Sequence, residues 1–82
     1  MKIQVRYFAS IREVLGPGEA LDSQAETLGS LRDELIGRGG AHAQALARGR
    51  ALRMALDQVM ADESSALREG AEVAFFPPVT GG

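Results

Sequence analysis

Two consecutive prolines, Pro77-Pro78, stand directly after the apolar run Val73-Ala74-Phe75-Phe76, and they fix where the last strand of any fold must stop. Neither ring nitrogen carries a hydrogen for a β ladder, and each ring holds φ near the extended value. The segment Glu72 to Phe76 therefore reads as a strand with a stiff stem beyond it. Val79 and Thr80 follow, and then Gly81-Gly82. Glycine lacks a Cβ, so such a tail fits a narrow channel and leaves its terminal carboxyl unshielded. At ~3.3–3.6 Å per residue the stretch from Pro77 to Gly82 reaches at most roughly 20 Å. Small residues at a frayed terminus would look alike. A strand, a proline brake and a glycine pair in succession favour a presented tail. The chain accordingly divides into a folded domain over 1–76 and an extended tail over 77–82.

The first strand lies at the other end of the chain. Lys2-Ile3-Gln4-Val5-Arg6-Tyr7-Phe8 alternates polar with apolar, the period of a half-buried strand, with Ile3, Val5 and Tyr7 facing in. That parity places the bulky Phe8 on the outer face, either as a partner contact or tucked under the next loop. Ile11, Val14 and Leu15 share one side of a short helical segment that Gly16-Pro17-Gly18 terminates. Glu19 to Asp22 then supplies a second strand, antiparallel to the first across a wide connection.

Thr27 is placed to cap the main helix, whose Leu28, Leu31, Leu35 and Ile36 recur at helical spacing with Arg32, Asp33 and Glu34 opposite. Gly37, Gly39 and Gly40 offer left-handed positions to end it, while Gly29 inside its first turn costs up to ~1 kcal/mol relative to alanine. Ala41 to Arg48 predicts a short helix ending near Gly49. Leu52, Met54 and Leu56 alternate as a third strand, Asp57-Gln58 makes a tight turn, and Val59-Met60-Ala61 a short fourth with Met60 on the open face. Leu67 plugs the core, and Gly70 suits a turn at positive φ.

Strand, strand, helix, strand, short strand, strand is the order of one helix packed across one mixed sheet, an α+β fold of four to five strands. The first and last strands then lie parallel at its centre. Glu72, Ala74 and Phe76 face away from Val73 and Phe75, so Phe8, Met60 and Phe76 converge on the uncovered face, and an exposed apolar patch commonly marks a binding surface.

The chain has no cysteine, which excludes disulfides, a thiolate nucleophile and a Cys-based zinc site. The lone His42, with no second imidazole or acid cluster beside it, is read as solvated surface without a role. A net charge of −2 supplies no basic field for nucleic acid. The apolar runs are too short for a membrane span, and the opening Met1-Lys2-Ile3-Gln4 lacks the apolar stretch of a signal peptide, so a cytoplasmic chain without membrane contact is expected. The sequence contains no nucleotide loop and no clustered acid and base. No catalytic site of its own and no bound cofactor are expected.

The layout and the tail resemble the ubiquitin-like β-grasp family, and within it the small, sulfur-carrying subunits of molybdopterin synthase. The resemblance runs through Tyr7-Phe8-Ala9, Ile11-Arg12-Glu13 and Gly16, the helix start Thr27-Leu28, and above all Gly70-Ala71-Glu72-Val73-Ala74-Phe75-Phe76-Pro77-Pro78-Val79-Thr80-Gly81-Gly82. It implies that Gly82 is adenylated with ATP by a partner activating enzyme and converted to a thiocarboxylate with sulfur from a donor protein. That sulfur passes to a pterin precursor in the large catalytic subunit, where two deliveries build the molybdopterin dithiolene, within an assembly of two small and two large subunits. A bare carboxylate has no good leaving group, which is why activation must come first. By the same resemblance Phe8, Met60 and Phe76 correspond to the docking face. Pro77, Pro78, Val79, Thr80 and Gly81 enter the partner, and Arg12 adds a polar rim contact or stays solvated.

Rival readings share the terminal Gly-Gly. A carrier for thiamin or tRNA thiolation would have the same fold but not, on this comparison, the Phe-Phe-Pro-Pro-Val-Thr run. A ubiquitin-like modifier would join Gly82 to a target lysine, and a plain interaction module would leave the end inert.

Overall fold

The opening alternation becomes β1 (Lys2–Tyr7), in which Ile3, Val5 and Tyr7 are buried and the residues between them exposed. The computed structural model describes residues 1–78. After β1 come α1 (Ala9–Leu15), β2 (Gly18–Asp22), α2 (Leu28–Ile36), α3 (Gly40–Ala45), β3 (Arg53–Leu56), β4 (Val59–Ala61) and β5 (Glu72–Phe76). The strands form one sheet in the order β2-β1-β5-β3-β4. β1 and β5 run parallel at its centre, with Val5 beside Val73 and Tyr7 beside Phe75. The two hairpins β1–β2 and β3–β4 flank that pair, and the β3–β5 pairing is antiparallel. This is the mixed sheet with its first and last strands parallel at the centre that the order of elements predicts.

The helices cover one face. Leu28, Leu31 and Leu35 from α2 are fully buried and join Ile3, Val5, Tyr7, Val73 and Phe75 in the core, with Met54 and Leu67 at its margin. Thr27 caps α2 as its sequence position predicts: its Oγ1 accepts from the Ser30 amide at 3.2 Å, and Ser30 Oγ accepts in return from the Thr27 amide. Asp57 and Gln58 both adopt positive φ, 50° and 69°, as a two-residue type I′ hairpin turn requires.

Four local expectations change. Arg32 is not on the solvated side of α2 but 4% exposed. Its Nε donates to the Leu46 carbonyl at 2.8 Å, and its Nη2 donates to those of Ala47 and Arg50 at 2.6 and 3.2 Å, which ties the α3–β3 connection to the helix. Gly29 has a packing reason. A Cβ there would lie 3.0–3.2 Å from Glu63, whose carbonyl accepts from the Gly29 amide, so the missing side chain lets the β4–β5 loop close on the helix. Gly37 sits at φ −61°, ordinary right-handed helix, and the left-handed positions belong to Gly39 and Gly40. Finally α3 covers 40–45 rather than 41–48: the Leu46 amide closes it on the His42 carbonyl, and from there the carbonyls of Leu46 and Ala47 accept from Arg32 while Arg48 donates to Gly29.

Candidate functional site

With α1, α2 and α3 on one side, the other side of the sheet is open, and the strand registers order its residues into rows. Arg53 on β3 pairs with Phe76 on β5. The β1–β5 register, continued by one residue from Tyr7 and Phe75, sets Phe8 beside Phe76, and the Phe8 amide donates to the Phe75 carbonyl at 3.1 Å. The next row contains Met60, Ala55, Ala74 and Arg6. Phe8, at 38% exposure, and Met60, at 59%, present most to solvent, while Phe76 is half-buried.

The three residues singled out from sequence thus share a face, but only Phe8 and Phe76 are immediate neighbours. Met60 stands two strands beyond Phe76, across β3. Ala55 and Ala74, paired in register between them, form a low apolar floor that the sequence reading passed over. Parity on β5 was the available signal, since Ala74 shares a face with Phe76.

Arg12 lies one helical turn from Phe8, its amide donating to the Phe8 carbonyl at 3.3 Å, and is exposed at the edge of this face. Ala9, between strand and helix, is held at φ 53°, a left-handed conformation that turns the chain sharply out of the sheet and leaves Phe8 at its rim. β5 ends at Phe76, so the stem Pro77-Pro78 leaves from beside Phe8 and Arg53. Val79, Thr80, Gly81 and Gly82 lie outside the described residues.

Behind the sheet an ionic cluster braces the same end of β1. Glu19 on β2 accepts from Arg38 Nη1 at 2.6 Å and from the Tyr7 hydroxyl at 3.1 Å, and its Oε2 is 3.3 Å from His42 Nε2. His42 is therefore half-buried and partnered, not free solvated surface. Its acid comes from 23 residues away, out of sight of local sequence. Its ring also meets Tyr7 edge-on at 6.4 Å, while Tyr7 stacks on Phe75. Burial, and then the Glu19 charge, push the Tyr7 phenol upward, so it stays a neutral donor. Burial opposes ionisation of Glu19, but bonds from Arg38, His42 and Tyr7 outweigh it and hold the carboxyl below its ordinary range.

Among the described residues no group of three His, Cys, Asp or Glu side chains is placed to hold a metal ion, and no helix is long and apolar enough to cross a membrane. The geometry offers a rigid sheet, a small apolar face and a stem leaving from its rim.

Known proteins share this design. The sequence profile of the ThiS family matches residues 5–82. The molybdopterin synthase sulfur carrier subunit of Haemophilus influenzae is 38% identical over 81 residues, covering 98% of this chain and 99% of the relative. That of Escherichia coli is 39% identical over 82 residues, with 98% and 99% covered. Among solved structures, SAMP1 from Haloferax volcanii superposes with a TM-score of 0.76 at 29% identity over the whole of both chains. A complex of subunits 1 and 2 of the molybdopterin-converting factor from Helicobacter pylori gives 0.70 at 26% identity, again over the whole of both chains. A family profile that matches residues 5–82, with relatives 38–39% identical over nearly the whole chain, places the chain in the ThiS family.

Proposed function

We propose that this protein is the sulfur carrier of molybdopterin synthase, presenting the carboxyl of Gly82 to enzymes that activate and then spend it. One observation carries the reading: β5 lies between β1 and β3 at the centre of the sheet and hands directly into Pro77-Pro78 beside the apolar pair Phe8 and Phe76. The relatives named as sulfur carrier subunits, at 36–39% identity, support the same role.

In the first step the Gly82 carboxylate attacks the α-phosphorus of ATP on an activating enzyme, forming an acyl adenylate and releasing pyrophosphate. Sulfur supplied by a donor at the oxidation level of hydrosulfide then attacks the acyl carbon, which a side chain would crowd, displacing AMP and losing its proton. The product is a terminal thiocarboxylate. Inside the large subunit the thiocarboxylate sulfur bonds to a carbon of a pterin precursor and displaces an oxygen there, and water then hydrolyses the resulting thioester, leaving the sulfur on the pterin and returning the carboxylate. The carrier's own contribution is docking and reach: Phe8, Phe76, Met60 and the alanine floor rest on the partner's surface while Pro77 to Gly82 extends up to ~20 Å beyond it. Arg12 stands at the rim of that contact, and two small with two large subunits complete the assembly.

The test is intact mass. Co-expression with the activating enzyme and a sulfur donor should give protein heavier by one oxygen-to-sulfur exchange at Gly82; an unchanged mass rejects carriage. A second reading has support from the likeness to a small archaeal modifier protein of Haloferax volcanii, 27% identical. As a modifier the chain would appear in isopeptide conjugates with target lysines, which denaturing gels of the same cells would reveal.

A further inference from the structure

The chain's eight arginines fall into two sets. Arg32, Arg38, Arg48 and Arg68 each have a carboxylate within ion-pair distance. Arg6, Arg12, Arg50 and Arg53 have none among the described residues, donate no side-chain hydrogen bond there, and are all exposed. The second set is gathered at one place. Arg6 is two residues before Phe8 on the open face, and Arg12 is one helical turn after it. Arg53 pairs in register with Phe76. Arg50, three residues earlier, lines a groove against Ser10, Ile11 and Val14 of α1. The four stand around the point where β5 becomes Pro77-Pro78.

Resting on the docking-face reading, we propose that Arg6, Arg12, Arg50 and Arg53 form a cationic collar that steers the carrier onto an acidic rim around the tail channel of its protein partner. Four positive charges in a chain of net charge −2 leave −6 for everything else. The four therefore form a local positive patch on an otherwise acidic chain. Glu13, Asp62 and Glu72 are the nearest acids along these elements. None lies within ion-pair distance of a collar arginine, so the patch is not cancelled locally.

The spread of the four identifies the partner's chemistry. They sit on β1, α1, the α3–β3 connection and β3, on several sides of the exit point, with no shared hydrogen-bonding focus. A compact phosphate would need converging donors, and a nucleic-acid backbone would need a continuous basic stripe on a chain of favourable net charge. A ring of carboxylates around a narrow opening matches the collar instead. Charges at such a rim act mainly on the association rate and its salt dependence, whereas the buried apolar contacts govern dissociation.

Stopped-flow association of the full-length carrier with the molybdopterin synthase large subunit of the same organism tests this, from ~0.01 to ~0.5 M salt, across which the Debye length falls from ~30 Å to a few ångströms. The wild-type on-rate should fall at least about tenfold, within the ~10–10³ range of electrostatic steering. In the combined variant Arg6→Gln, Arg12→Gln, Arg50→Gln, Arg53→Gln the rate should be low and nearly flat with salt, while Arg68→Gln keeps the wild-type slope. These side chains are exposed and unbonded, so circular dichroism should match wild type. An unchanged salt slope in the combined variant, with Phe76→Ala still speeding dissociation, overturns the collar and leaves the docking face intact. Unaltered binding by Phe76→Ala rejects the docking face itself. Retention of a labelled 20-base-pair DNA duplex at ~0.15 M salt, lost in the combined variant, would assign the collar to nucleic acid and overturn the acidic-rim partner.

Discussion

Arg32→Ala should destabilise the fold by about 3 kcal/mol without touching the docking face. The guanidinium serves three carbonyls of the α3–β3 connection and one carboxylate. A hydrogen bond to a charged group contributes ~1.5–3 kcal/mol, and a buried acceptor left empty costs ~1–3 kcal/mol. Leu46 is fully buried, so its carbonyl has no ready access to water and should show the full loss. Ala47 is half-buried and Arg50 exposed, so water replaces much of what their carbonyls lose. The pair with Glu63, itself about 41% exposed, adds little. At ~4–8 °C per kcal/mol for a domain of this size, the melting temperature should fall by roughly 12–24 °C.

Thermal and urea unfolding followed by far-UV circular dichroism would measure the loss. Two companions identify its cause. Arg32→Met keeps most of the volume but none of the donors, and should lose nearly as much as alanine if hydrogen bonding dominates. Arg32→Lys keeps the charge as a single point donor that cannot serve three divergent carbonyls, and should fall between. If Arg32→Ala stayed within ~1 kcal/mol of wild type, residues 46–50 would be held by packing alone and the argument would be wrong.

Three further outcomes can be checked. Gly29→Val should destabilise by ~1–3 kcal/mol, because its Cβ meets Glu63 at 3.0–3.2 Å where Arg32 and Arg48 pin that residue; equal or higher stability in urea titration would refute this. Glu19 has a folded-state pKa below its unfolded value of 4.5, so it contributes stability above that pH which is lost as the pH falls through the lower folded value. Glu19→Gln should therefore be less stable near neutrality yet flatten the decline under acid, read from melting temperatures between pH 7 and 3. Deleting Gly82 should abolish thiocarboxylate formation with unchanged melting, and Phe8→Glu should weaken pull-down of the large subunit; survival of either function would displace that residue from its role.

The parts of this fold legible in sequence are those whose signal is local. Alternation in Lys2–Tyr7 and Glu72–Phe76 located both central strands, and Thr27 with its leucines located α2. The positions of Phe8, Met60 and Phe76 on one face followed from parity. What was hidden depends on distant partners. Arg32 looks like surface because its acceptors lie 14–18 residues on, and His42 looks unpartnered because Glu19 lies 23 residues back. Gly29 looks like a cost until the β4–β5 loop is seen against it. Parity alone puts Ala74 on the face of Phe76, but only register brings it and Ala55 between Phe76 and Met60.

The central place of β5 gives the Pro77-Pro78 stem a firm base. An edge strand is paired on one side only and frays first, so a tail leaving it would have a moving base. β5 is paired on both sides, with Val73 and Phe75 fully buried beneath it, and Phe75 stacked on a Tyr7 that Glu19 holds in turn. Phe75, one residue before the end of β5, is thus among the most deeply buried residues described. Fixing the base spares a partner the entropy of ordering it. The parallel pairing of the first and last strands, which costs the chain its longest-range contact, is what places Phe8 beside that base. The apolar pair and the root of the Pro77-Pro78 stem are therefore two consequences of one register.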